Sequence, residues 1–155
     1  MENVIFLAFD IINFALVTLL WWITIKNYKI LPAVIPTHFD FEGKADRFGN
    51  KKFAYLMPVF GTVAYFGFLT ILNYPEAVNF PVKITDQNKD NQISIMMFFM
   101  KWLLTLVLII FLNNQDYMMR YSFNEKAKTR IPFWLPLVLI FLSLIITIIL
   151  ASVFK

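Results

Sequence analysis

Cysteine is absent from this 155-residue chain, which excludes disulfides, thiolate metal sites and thiol nucleophiles. Histidine occurs once and glycine four times. A lone imidazole cannot supply a multi-histidine metal centre, and four scattered glycines leave no phosphate-cradling loop. Charge is scarce as well: 15% of residues are charged, against about 25% in an ordinary soluble domain. What fills the chain instead is hydrocarbon: 59% of its residues are hydrophobic and 18% of the whole chain is aromatic, with mean hydropathy +0.66.

That hydrocarbon is concentrated in four runs, residues 4–25, 53–72, 93–112 and 133–154. Each has the roughly 20 apolar residues that a helix rising ~1.5 Å per residue needs to cross a ~30 Å core. The connections between them are too short for a second domain. The expectation is one all-α membrane domain over 1–155, with four transmembrane helices and a structured non-helical loop over 31–52 between helices 1 and 2. The first run lacks a basic leader and a small-residue cleavage site, so it is expected to stay as helix 1.

Basic residues set the expected orientation. The first connection holds Lys26, Lys29, Lys44, Arg47, Lys51 and Lys52, and the third holds Arg120, Lys126, Lys128 and Arg130. Lys83, Lys89 and Lys155 stand on the other side. Because Lys and Arg collect in cytoplasmic loops, loops 1 and 3 are predicted to be cytoplasmic and both termini outside. The same rule accounts for the net charge of +4 without nucleic acid.

Two ionisable residues fall inside the apolar runs. Asp10 lies roughly 9 Å into helix 1 and Lys101 roughly 12 Å into helix 3. Both helices enter from the outer side, so the two charges are predicted to meet, with Asn13 on the same face as Asp10. Such a cluster could serve a proton or ion relay, fix helix 1 against helix 3, or leave Lys101 to snorkel. In helix 4 the series Ser143, Thr147, Ala151 reads as a close-packing stripe, and Gly61 with Ala64 does so in helix 2. Beyond Leu112, the pattern of Tyr117, Met118 and Tyr121 predicts an amphipathic extension of helix 3, whose N-cap is expected at Asp90 or Asn91.

Loop 1 is the most distinctive segment. Pro32 and Pro36 favour an extended entry. Alternation over His38–Glu42 sets Phe39 and Phe41 on one face and His38, Asp40 and Glu42 on the other. Gly43 and Gly49-Asn50 supply turns. Phe39, Phe41 and Phe48 are expected against the helix ends. His38, Asp40, Glu42 and Asp46 are metal-ligand types, but the spacing fits neither a zinc protease nor an EF-hand. Ser94, Ser122, Ser143 and Ser152 have no nucleophile elbow. No catalytic residue, metal or cofactor is expected.

The string Pro32, Pro36, His38, Phe39, Gly43, Asp46, Arg47, Lys51 resembles the bacterial "domain of unknown function 1648" family, also found at the N-terminus of SdpI-like immunity proteins. Ala45 stands where that family commonly has proline, and Phe48 where it has Trp or Tyr. SdpI-like proteins also carry helices beyond those seen here. The resemblance implies a bacterial cytoplasmic-membrane protein and gives these residues no catalytic role. The expected function is therefore non-enzymatic: an immunity, sensing or accessory protein acting through loop 1 on a membrane-protein or peptide partner. The competing expectation is a small self-associated transporter or ion-conducting protein that uses Asp10, Asn13 and Lys101.

Overall fold

In the computed structural model, which describes residues 2–40, 42–75 and 78–155, four helices are long and apolar enough to cross a membrane. They are α1 (Glu2–Tyr28), α2 (Leu56–Asn73), α3 (Lys89–Phe123) and α4 (Trp134–Val153). Between α1 and α2 lie two antiparallel strands, β1 (Val34–Phe39) and β2 (Ala45–Asn50). A 3-10 helix, Lys51–Tyr55, then runs into α2. The protein is thus mostly helical and not all-α, because the segment 31–52 makes a small sheet and begins a helix.

The local chemistry accounts for this. Proline at 36 has no amide to give a ladder, and the register from Val34↔Asn50 and Pro36↔Phe48 becomes irregular before His38↔Arg47 and Phe39↔Ala45. The Asn50 side chain accepts a hydrogen bond from the Lys52 amide at 2.9 Å, which starts the 3-10 turn. Phe48, expected against the helix ends, is instead 57% exposed. It lies on the outward face of β2, while Phe39 of β1 takes the inward position. Phe41 falls outside the described residues.

Helix α3 exceeds the expected span 93–112 at both ends. Its 35 residues reach roughly 52 Å at ~1.5 Å each, well beyond a ~30 Å core. The helix begins after Asn88, not at Asp90 or Asn91. The buried Asn88 side chain ties up the preceding turn, accepting from the Thr85 amide at 2.8 Å and donating to the Lys83 carbonyl at 3.0 Å. At the far end the extension past Leu112 forms, and it is largely buried through Asn113, Gln115, Tyr117, Met118, Met119 and Tyr121.

α3 is the central post, packing against α1, α2, α4 and β1. Its polar side chains make the joints. Gln92 donates to the Ala151 and Phe154 carbonyls at 2.9 and 3.0 Å, fastening the end of α4. Asn113 brackets Ile131, donating to its carbonyl at 2.9 Å and accepting from its amide at 3.1 Å. This returns the third connection onto α3. The α4 stripe faces inward, with Thr147 and Ala151 buried, while Leu137, Phe141, Ile145 and Ile149 point outward. Small residues inside and large apolar ones outside is the arrangement expected when hydrocarbon surrounds the bundle.

Gly61 has the closest surroundings of the four glycines. A Cβ there would lie 2.8 Å from Leu20 Cδ2 and 3.6 Å from Leu108 Cδ2. Leu20 is fully buried, so it has no free direction in which to yield. Gly67 has nothing within 4 Å of the same position. Gly61→Val should therefore lower unfolding stability by about 1–3 kcal/mol, and Gly67→Ala should not. Denaturant titration of the two variants in the same detergent checks this, and equal stabilities would contradict the packing.

Candidate functional site

The motif residues of loop 1 assemble into a hairpin clamped to the α3 extension. Phe39 packs on Tyr117 and Tyr121, with ring centroids 4.6 and 5.2 Å away. The Tyr117 hydroxyl donates to the Gly43 carbonyl, and the Ala45 amide donates to the Tyr121 hydroxyl oxygen at 3.4 Å. Gly43 has φ +80°, and a Cβ there would also crowd the Tyr117 hydroxyl at 3.2 Å. Glycine is required on both counts. Asp40 builds the turn, its Oδ1 accepting from the Glu42 and Lys44 amides at 2.9 and 2.8 Å.

Beneath the hairpin, Leu31, Ile35, Ala54, Met118 and Met119 form a hydrophobic cluster, with Tyr28 and Phe39 packed against it. Pro36 is buried, Pro32 is exposed, and the Lys51 ammonium sits 4.9 Å from the Tyr28 ring centroid. On the outer face His38 Nδ1 and Asp46 Oδ1 are 2.6 Å apart, with both side chains about half exposed. Arg47 is exposed beside them. The motif therefore divides into groups that fasten the hairpin (Pro36, Phe39, Gly43, Lys51) and groups that it displays (His38, Asp46, Arg47).

Gln115 anchors the same region from within the bundle. Its Nε2 donates to Thr24 Oγ1 at 2.7 Å and to the Ala54 carbonyl at 2.8 Å. Thr24 spends its own hydroxyl proton on the Leu20 carbonyl, so both partners are acceptors and the orientation of the amide is fixed. Gln115 Oε1 is left buried without a donor. Beside it, between the hairpin, α2, α3 and Phe133, opens a cleft of about 510 Å³.

At the other end of the bundle the structure brings the two intramembrane charges together. Lys101 Nζ contacts Asp10 Oδ1, with the lysine side chain 7% and the aspartate 45% exposed. Asn13 donates to the Lys101 carbonyl at 3.2 Å, and Thr105 donates to Asn13 Oδ1 at 2.8 Å. Phe6 lies 5.8 Å from the ammonium. The cluster stops at Thr105. Between it and Gln115, about 15 Å further along α3, the interior is occupied by Leu20 and Leu108.

Sequence reading placed Asp10, Asn13 and Lys101 but passed over Thr105, Thr24 and Gln115. The available signal was position: Lys101, Thr105 and Gln115 recur at helical spacing, so one polar ridge follows the face that carries Lys101. Among the described residues, no three His, Asp or Glu side chains come together in a metal-binding group.

The hydrogen bond from His38 holds the Asp46 carboxyl below its ordinary value of 3.8, and desolvation opposes that only in part. Depression means that the bond stabilises the fold above the unfolded value. The contribution disappears as pH falls through the lower folded value. In a carboxyl-carbon NMR titration Asp46 should protonate below pH 3.8, and His38→Ala should move its midpoint up. Identical midpoints in the two proteins would contradict the pairing.

Comparison with known proteins bears on this region. Residues 15–62 match the family described as "Domain of unknown function (DUF1648)". An uncharacterized protein of Archaeoglobus fulgidus is 31% identical over 78 residues, 45% of this chain and 43% of the relative. The chain thus spans under half the length of that relative. No solved structure matches. The matched segment runs from the second half of α1 through the hairpin to the first turns of α2, and it contains the loop motif.

Proposed function

We propose that this is a non-enzymatic multi-pass protein of the cytoplasmic membrane, of the immunity, sensing or accessory kind, which presents its hairpin to a membrane-protein or peptide partner on the cytoplasmic side. The observation that carries the reading is the division of the family motif. Phe39 and Gly43 fasten the hairpin to α3 and Lys51 reaches Tyr28 of α1, whereas His38, Asp46 and Arg47 stand exposed. Phe48 adds an exposed aromatic ring to that face, and exposed aromatic and arginine side chains are favoured contact residues.

Ten basic residues on the hairpin side against three on the other support a cytoplasmic hairpin. The kinship with SdpI-like immunity proteins rests on the motif alone, and the relative found is archaeal. Immunity is therefore one of three roles within the reading. The transporter reading has weaker support. Asp10, Asn13 and Lys101 end in a leucine-filled section instead of a path, so conduction would require several copies around a shared pore.

In-membrane crosslinking followed by affinity capture tests the proposal. A partner recovered with the native chain should fall several-fold with His38→Ala and with Asp46→Ala. Unchanged recovery in both would count against a hairpin-centred role.

A further inference from the structure

The cleft between the hairpin and the helix ends has chemistry that partner display does not use. Its 510 Å³ is on the scale of a small-molecule site. Most of its wall is apolar, with Phe53, Leu56, Met57, Met118 and Phe133 among the lining residues. Polar groups enter it unevenly. Asp40 contributes a carboxylate, of which only Oδ1 is used by the turn. The Asn114 side chain is half-buried and has no hydrogen bond among the described residues.

Gln115, in the same wall, is 1% exposed and its Oε1 has no donor. Both Nε2 protons are already committed to acceptors, so rotating the amide would break two bonds and satisfy nothing. A buried acceptor left without a donor is destabilising, and a ligand that brings an N–H or O–H removes the penalty. His38 also lines the cleft, with its Nδ1 held by Asp46, and no lysine or arginine is among the described lining residues. Its one carboxylate and surplus oxygen acceptors favour a head group that donates protons and carries positive charge. Anionic heads are disfavoured by the same set.

We propose that this cleft binds a single-chain amphiphile with a primary-amine head, the chain lying along the apolar wall and the ammonium answered by Asp40 and the amide oxygens of Asn114 and Gln115. Such a molecule is available from the bilayer interface, where the hairpin meets the helix ends. The cleft shares His38 with the displayed edge, but the two readings fail separately, because the edge can capture no protein while the cleft still fills.

The test uses the full chain in phosphatidylcholine nanodiscs and decylamine carrying a photoreactive diazirine in its chain, with labelled residues mapped by mass spectrometry. Label should concentrate on peptides containing Met57 and Met118. Unlabelled decylamine should compete it away, and decanol and decanoate at equal bilayer concentration should not. Asp40→Asn keeps the oxygen that accepts the turn amides and removes the charge, so it should weaken competition several-fold. Met57→Trp fills the cleft and should cut labelling there, while the Asp46 carboxyl signal stays at its native position. Label spread evenly over lipid-facing positions such as Val63 and Phe141 would overturn the site. Equal competition by decanoate or decanol would overturn the amine head.

Discussion

Helix association in hydrocarbon lacks the drive that assembles soluble proteins, because lipid tails solvate leucine as well as another helix does. The structure depends on what replaces that drive: polar side chains of α3 that find partners on every other element. Lys101 takes Asp10 of α1, Gln115 takes Thr24 of α1 and the carbonyl of Ala54, and Gln92 takes the last turn of α4. Tyr117 and Tyr121 take the hairpin. Each of these groups would be costly if left unpaired in lipid, so each fixes a register as well as a contact. Between these joints, packing is close enough that Gly61 has no room for a methyl group beside Leu20.

The two ends of the post have different characters. At one end an ion pair, an asparagine and a threonine form a cluster that is buried at Lys101, Asn13 and Thr105 and half-exposed at Asp10. At the other, the helix leaves the expected membrane span and becomes a platform for the hairpin and the returning third connection. Asp116 helps to hold that return, accepting from Arg120 and Arg130 at 2.8 and 2.9 Å. The platform is where the family motif, the displayed His38–Asp46 edge and the cleft coincide. The proposed function is placed at that end because the loop motif and the cleft lie there, whereas Lys101, Asn13 and Thr105 are buried and bonded to one another.

Much of this was legible in the sequence, for identifiable reasons. Apolar length alone locates the four helices, since the bilayer sets a minimum that few soluble helices meet. Depth along two helices brings Asp10 and Lys101 together, because rise per residue is constant. The strands were not legible: Pro32, Pro36 and Gly43 argue against regular structure, and the ladder bends around Pro36 by losing register. Nor was the outward turn of Phe48, which follows from the pairing of β1 with β2 and not from hydrophobicity. The extension of α3 past Leu112 is legible in Tyr117, Met118 and Tyr121, but the burial of Asn113 and Gln115 within it is not, because their partners are distant in sequence.

The claim that interhelical polar contacts of α3 hold the bundle is tested most directly on its most buried charge. A double-mutant cycle of Asp10→Ala and Lys101→Met, read as unfolding free energy in bilayers, isolates their coupling. The account predicts a coupling of about 1 kcal/mol or more, above the ~0.6 kcal/mol average for interhelical polar pairs. Single-variant losses that add to within about 0.3 kcal/mol would contradict it.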